Sequence, residues 1–213
     1  MNLKDCHNCN DFRKLAKKKL PSPIFHYIDG GADDEVTLNR NTSSFNDYDL
    51  VPSVLNDVSN VDISTTVLGE KIDFPLFPAA TAMHRLYHHE GERASAKAAE
   101  KMGTIFGTST MGTVSIEEIT KVNKGPKLFQ LYIHKDRGLT DNLLERCKKS
   151  GFSSMCLTVD TVVAGNRERD RRTGFTTPPK LTLGSLLSFA LHPGWTINNL
   201  AREKFKLANI IHM

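Results

Sequence analysis

The stretch TIFGTSTMGTVSIEEITKVNKGPKLFQLYIHKDRGLTDNLLERCKKSGFSSMCLTVD (104–160) decides the fold. Three apolar runs recur in it: TIFGTST (104–110), KLFQLYI (127–133) and FSSMCLTVD (152–160). Helical patterns fill the intervals. VSIEEIT (114–120) is short. GLTDNLLERCKKSG (138–151) is amphipathic, with Leu143 and Leu144 predicted inward, basic residues in its last turn and Gly151 after it. Strand-like runs recurring about every 25 residues, each interval holding a helix, have the length of a βα unit and predict a parallel sheet. Their continuous apolar character predicts burial on both faces.

Toward the N-terminus, GERASAKAAEKMG (91–103) predicts a helix that stops at Gly103, and DFPLFPAA (73–80) predicts the strand before it. That makes four strand–helix steps over residues 71–160. An open doubly wound α/β sheet and a (β/α)8 TIM barrel both accommodate them, and no glycine-rich phosphate-binding fingerprint follows a strand. Residues 1–70 read as a helical segment packed ahead of the sheet, from NDFRKLAKKKL (10–20), PSPIFHYIDGGA (21–32) and DDEVTLNRNTSSF (33–45). In residues 161–213 the rhythm stops. GNRERDRRTGFTTPPKLT (165–182) reads as a polar, charged loop whose arginines form a solvated face. LGSLLSFALHPGWTINNL (183–200) reads either as a lid or as an interfacial patch, and Arg202, Lys204 and Lys206 behind it favour a membrane surface.

Composition narrows the function. The chain has 213 residues, 39% hydrophobic and 24% charged, which is the balance of a folded globular protein. No apolar run approaches the roughly 18 residues that span a bilayer, and MNLKDCHNCNDFRKLAKKKL (1–20) lacks the apolar core of a secretory signal. Residues 161–213 hold 8 basic and 3 acidic side chains, against 20 and 21 in the rest, for a net charge of +4. An excess confined to the last quarter argues against a nucleic-acid footprint and for a local anionic partner: phosphate, carboxylate or membrane. Four cysteines are too few for a disulfide scaffold, so a reducing compartment is expected. Cys6 and Cys9 have CxxC spacing without a second ligand pair and read as an exposed terminus, while Cys147 and Cys156 read as packing. His84, His88 and His89 read as solvated loop and helix-start residues. No metal site is predicted.

In parallel βα architectures ligands meet the carboxyl ends of strands. Those ends here carry Ala79-Ala80-Thr81-Ala82-Met83, Thr108-Ser109-Thr110, Gln130 with Tyr132, and Thr158-Val159-Asp160. Hydroxyls and an amide facing one mouth suit the edge of a planar heterocycle, and small alanines let backbone lie along its flat face.

FHYIDGGADDEVTLNRN, PAATAM with HHEGE, GTIFGTSTMGTVSIEE, FQLYIHKDR, GFSSMCLTVDT and GNRERDRR occur in one order. Together they resemble the N-terminal part of the FMN-dependent 2-hydroxy-acid dehydrogenases and oxidases, a family that includes glycolate oxidase, L-lactate dehydrogenase and mandelate dehydrogenase. The tail HPGWTINNLAREKFKLANI resembles the membrane-associated bacterial L-lactate dehydrogenase branch. The resemblance covers roughly residues 10–213 and implies a TIM barrel, present here as its N-terminal helices and about four βα units, with FMN as cofactor.

It also implies site residues. Ala80, Thr81 and Ala82 match the segment whose backbone runs beside the reactive flavin edge; the family often has proline at the first of these. Ser109, Gln130 and Thr158 match the side chains that hydrogen-bond the isoalloxazine ring. Tyr27, Tyr132 and Arg167 match the groups that hold the substrate carboxylate, and Asp160 matches the carboxylate that orients the catalytic histidine. Met111 stands where the plant-type oxidases carry tryptophan, a difference that bears on substrate size. The proton-abstracting histidine, a second carboxylate-binding arginine, a flavin-facing lysine and the phosphate-binding segment would all follow Met213 in the family pattern. None of the histidines here, His212 included, lies in the matching motif. A truncated form that binds FMN weakly or not at all and turns over nothing alone is therefore expected, unless self-association or a separate second half completes it.

The implied partners are a small 2-hydroxy acid or 2-oxo acid and an electron acceptor, either quinone, cytochrome or oxygen. Nucleic acid is excluded. A cytoplasmic location, with peripheral contact at the inner face of the cell membrane, and a homo-oligomeric full-length protein are implied as well. Two alternatives stay open: another flavin- or phosphate-binding TIM-barrel enzyme, and a non-catalytic fragment or interaction module.

Overall fold

Helix α1 (Cys9–Lys19) starts at Asn8, whose side chain accepts the Asp11 N–H at 3.0 Å, and closes on Lys17, Lys18 and Lys19. An N-cap oxygen and a basic last turn both oppose the helix dipole. Helices α2 (Ser22–Asp29) and α3 (Val36–Ser43) follow, then a hairpin of β1 (Thr65–Val67) and β2 (Glu70–Ile72). The βα series runs α4 (Glu92–Lys101), β3 (Phe106–Ser109), α5 (Ile116–Val122), β4 (Lys127–Leu131), α6 (Arg137–Lys149) and β5 (Ser154–Leu157). Three helices complete it: α7 (Glu168–Thr173), α8 (Leu183–Ala190) and α9 (Pro193–Leu200). This computed structural model describes residues 2–176 and 178–210, so His212 lies outside the described residues. The elements gather into two compact units. Met1–Asp57 with Val163–Ala201 form a helical unit, and Val58–Val162 with Arg202–Met213 form a sheet unit.

In the sheet unit, β3, β4 and β5 lie side by side and parallel, with Ser109 opposite Gln130 and Gln130 opposite Cys156. Every residue of β3 and β4 is buried, as continuous apolar strands predict. Phe106 packs with Ala96, Ala99, Val114 and Ile119, and Phe129 with Ile116, Leu131, Leu143 and Cys147. Ile105 and Leu128 instead meet Ile72. Burying one such side chain is worth about 1.5–3 kcal/mol, so these layers hold the parallel strands in register. Among the described residues the sheet does not close into a barrel.

Several expectations need correction. Residues 73–80 form no strand. Pro75 and Pro78 cannot donate to a ladder, and the segment is tied to its neighbours singly, by Asp73 N–H on Gly103 O at 2.8 Å and Thr104 Oγ1 on Leu76 O at 2.9 Å. The parallel sheet therefore has three strands among the described residues. Cys156 is exposed rather than packed, as are Met155 and Leu157 beside it, so β5 lacks the cover that buries β3 at the other edge. Residues 165–182 are not all loop: α7 lies within them, ended by Gly174 at φ 70°. The apolar stretch 183–200 is two helices, separated where Pro193 opens α9. The hairpin was not foreseen. Its turn, Leu68-Gly69, has φ of 53° and 83°, the paired left-handed geometry that matches strand twist.

Helix α5 carries a capping box. Ser115 Oγ accepts the Glu118 N–H at 3.2 Å, and Glu118 Oε2 accepts the Ser115 N–H at 3.3 Å. Ser115→Ala is expected to cost about 1 kcal/mol in chemical denaturation; an unchanged midpoint would show that the cap is idle. Next on α5, Glu117 takes a fork from Arg146, at 2.7 and 2.9 Å. The Arg146 hydrogen bonds hold its carboxyl down at about 2, from an ordinary 4.5. A depressed folded pKa gives stabilisation that is present above 4.5 and lost as pH falls toward 2. Glu117→Gln should therefore flatten the acid limb of the stability curve in that window and leave stability differences above pH 6 constant.

Candidate functional site

Parallel register brings three polar side chains to one end of the sheet. Ser109 ends β3, its cross-strand partner Gln130 lies on β4, and Thr158 follows β5 two positions past Cys156, on the same strand face. Ser109 Oγ donates to Gln130 Oε1 at 2.6 Å, and Gln130 Nε2 donates to Thr158 Oγ1 at 2.5 Å. Ser109 Oγ also accepts the Met111 N–H at 3.2 Å. Ser109 and Gln130 are buried and Thr158 is half-buried, so the line leads from the sheet interior to its rim. Among the described residues, the Thr158 hydroxyl proton and the second Gln130 amide proton remain to donate outward. Neutral donors and acceptors in a row fit the alternating carbonyl and N–H edge of an isoalloxazine ring. A phosphate would call for cations in their place.

Gly107 lets a second segment approach. A Cβ there would stand 3.1 Å from Ala80 N and 3.2 Å from Ala80 Cβ, so the absence of a side chain at residue 107 lets Ala80 come a few tenths of an ångström closer to β3. Gly107→Val should push the Ala80–Ala82 segment away and weaken FMN uptake severalfold; fluorescence titration would show it, and unaltered uptake would contradict this packing. Beyond Ala80, Thr81 Oγ1 meets His84 Nε2 at 2.5 Å, and Ser95 Oγ lies 3.4 Å from His84 Nδ1. Burial lowers the His84 pKa, so this imidazole is neutral at neutral pH. His84 is thus a half-buried hydrogen-bonding residue rather than a solvated one. Ala82 is half-buried, and Met83 N–H reaches Met111 O at 3.3 Å.

Glu92 anchors this end of the sheet unit. It is fully buried, and its carboxylate accepts from Thr113 N–H at 2.9 Å, Thr113 Oγ1 at 2.6 Å and His84 N–H at 3.3 Å. Buried Arg85 pairs with Glu203 at 2.5 Å. Tyr132, half-buried after β4, donates its N–H to Thr110 Oγ1 at 3.1 Å. Asp160 is exposed, two residues past Thr158.

The helical unit carries the other two predicted residues together. The Arg167 guanidinium stands 5.1 Å from the centroid of the Tyr27 ring, and its Nη2 donates to the Tyr27 carbonyl. Arg167 Nε donates to Asp170 at 2.6 Å, and the Tyr27 ring meets Phe175 edge-on at 5.2 Å. Of the neighbouring arginines, Arg171 and Arg172 are exposed, as a solvated face predicts, but Arg169 is not. Arg169 bridges Asp29 at 2.8 Å and Glu35, and Arg13 also reaches Asp29, at 2.5 Å and 2.9 Å. The Arg13 hydrogen bond leads the causes that hold the Asp29 carboxyl below its usual range. This lattice of charges fixes α7 on α2, and with it Arg167.

Burial pushes the Cys147 thiol up to about 12, so it packs and does not react. No group of three metal-ligating side chains occurs among the described residues. Sequence reading missed Glu92, Arg85 and Asn209. Glu92 and Arg85 read as ordinary charges of a helix start and loop, and Asn209 had no periodic pattern around it.

A parallel sheet with polar side chains joined at its strand ends marks an α/β protein, and comparison with known proteins narrows the class. A family model described as FMN-dependent dehydrogenase matches residues 16–212. Glycolate oxidase from Spinacia oleracea is 43% identical over 83% of this chain and 48% of its own length. L-lactate oxidase from a Nostoc species is 45% identical over 86% of this chain and 51% of its own. The crystal structure of (S)-mandelate dehydrogenase, described as a monotopic membrane protein, superposes with a TM-score of 0.89 at 33% identity, covering 97% of this chain and 55% of that one. The chain belongs to the FMN-dependent dehydrogenase family, whose solved members have the TIM-barrel fold. It spans about half the length of the curated relatives it matches.

Proposed function

We propose that this chain contributes the flavin-edge and carboxylate-binding part of an enzyme that oxidises a small L-2-hydroxy acid, lactate-like in size, to the 2-oxo acid with FMN as cofactor. The observation that carries the reading is the Ser109–Gln130–Thr158 line at the ends of three parallel strands. In this reading Ser109, Gln130 and Thr158 take the ring edge, while the backbone of Ala80, Thr81 and Ala82 lies along it. Tyr27, Tyr132 and Arg167 take the substrate carboxylate. A guanidinium meets a carboxylate with a two-pronged fork, and phenol hydroxyls add neutral donors. The Tyr27–Arg167 pair supports this, because an arginine already held by Asp170 and by the Tyr27 carbonyl loses little freedom on binding. Asp160, exposed beyond β5, would orient a basic histidine. The bound flavin would accept the two electrons that leave the substrate α-carbon.

The intact natural protein tests this by its visible spectrum. A flavin absorbance that L-lactate or glycolate bleaches without oxygen is the expected result; a colourless protein that takes up no added FMN would overturn the reading. Quinone, cytochrome or oxygen would then reoxidise the flavin, and adding each in turn to the bleached sample tells them apart.

A peripheral membrane position on the cytoplasmic side is the second part of the proposal. No described helix is long and apolar enough to cross a bilayer. Yet Leu183, Leu186, Leu187 and Leu191 are exposed on and just after α8, the apolar surface of an interfacial helix. Co-sedimentation with anionic vesicles should fall on Leu183→Ser with Leu187→Ser, and an unchanged soluble fraction would rule the surface out.

A further inference from the structure

Asn209 lies 100 residues from Ser109 in sequence and is 1% exposed. Its side-chain amide has a donor and an acceptor, and both are engaged. Nδ2 donates to the Ser109 carbonyl at 3.3 Å, and Oδ1 accepts the Ile116 N–H at 3.0 Å. The Ile116 N–H is one of the first-turn donors of α5 that no carbonyl of the helix can satisfy, so one amide group joins the end of β3 to the start of the following helix. The backbone around Asn209 is docked as well. Ala208 N–H reaches Gly112 O at 3.0 Å, and Arg146 Nη1 reaches Asn209 O at 3.1 Å. Gly112 N–H in turn donates to Ser109 O at 2.9 Å, and Met111 N–H to Ser109 Oγ at 3.2 Å. The 109–112 turn therefore has its outer side gripped by the 208–209 segment and its inner side closed on the Ser109 hydroxyl.

We infer that Asn209 is a positioning residue for the Ser109 hydroxyl, holding the carbonyl of the same residue so that the hydroxyl stays aimed at Gln130. Its relevance to FMN rests on the flavin-site reading above. The chemistry asks for asparagine. Alanine would leave a buried N–H unpaired at Ile116, and aspartate would keep that acceptor but set a negative oxygen against the Ser109 carbonyl. The two variants consequently separate capping of α5 from control of Ser109.

Amide hydrogen exchange and FMN fluorescence titration on the full chain read the two effects. Asn209→Asp is expected to keep protection at Ile116 while speeding exchange at Met111 and Gly112, and to weaken FMN binding about tenfold, the worth of one well-placed hydrogen bond. In a Ser109→Ala background the same substitution should leave FMN affinity within about twofold, since the hydroxyl it acts through is gone. Unchanged exchange at Met111 in both Asn209→Asp and Asn209→Ala would overturn the inference. So would an undiminished tenfold loss on the Ser109→Ala background, which would mark a purely structural role. A wild-type chain that takes up no FMN would match the behaviour expected of half a barrel, and the Met111 exchange rate would still decide whether Asn209 controls Ser109.

Discussion

Gln130→Leu is expected to weaken FMN binding about 100-fold. Gln130 is the middle of the polar line, and its amide is committed on both sides, accepting from Ser109 Oγ at 2.6 Å and donating to Thr158 Oγ1 at 2.5 Å. Leucine keeps the volume and removes both bonds. Ser109 Oγ, in a buried residue, then loses its acceptor, Thr158 loses its orienting donor, and the amide groups that would face the ring edge are gone. Loss of the Gln130 bond to the ring and misdirection of the one from Thr158, at about 1–1.5 kcal/mol each, account for the factor of 100. Fluorescence quenching of FMN measures it directly. Gln130→Glu gives a second reading, because a carboxylate accepts from Ser109 but cannot donate to Thr158. An affinity unchanged in both variants would mean that the flavin edge lies elsewhere.

Glu92→Ala is expected to cost about 3–5 kcal/mol of folding stability, a large share of what a domain of this size has in reserve. The Glu92 carboxylate is fully buried and is the shared acceptor for Thr113 N–H, Thr113 Oγ1 and His84 N–H. Alanine strands these donors and opens a void beside Thr113, whose Oγ1 also accepts the Arg85 N–H at 3.2 Å. The damage should travel to the Ala80–His84 segment, since His84 carries the hydrogen bond to Thr81 Oγ1. Glu92→Gln should cost less than half as much, because an amide oxygen still accepts from Thr113. Urea denaturation of the three proteins tests the ordering; an alanine variant within 1 kcal/mol of the parent would show that the site relaxes without its carboxylate.

What could be read from the sequence divides along physical lines. Strands β3 and β4 were legible because both faces are buried, so Ile105 and Phe106, and Leu128, Phe129 and Leu131, form nearly continuous apolar runs. Helices α4 and α6 announced themselves by Ala-rich or amphipathic periodicity and by Gly103 and Gly151, both at positive φ. Residues 73–80 misled because apolar content speaks of burial and not of ladder bonding, and two prolines remove the donors. Of the candidate site, Ser109, Gln130 and Thr158 stood out as polar residues at apolar strand ends. Arg167 looked like one charge among many, since composition cannot tell a solvated arginine from one held by Asp170 and lying over Tyr27. Asn209 and Glu92 were invisible for a related reason. Their importance comes from contacts across long stretches of chain, with no local pattern of period 2 or 3.6 to betray them.

The position of the ring itself is the most direct test. A structure determined with FMN bound should place the carbonyl and N–H edge of the isoalloxazine within about 3.2 Å of Gln130 and Thr158, with the Ala80–Ala82 backbone beside it. A flavin found in contact with neither side chain, or an FMN-saturated crystal with that strand end filled only by water, would contradict the account.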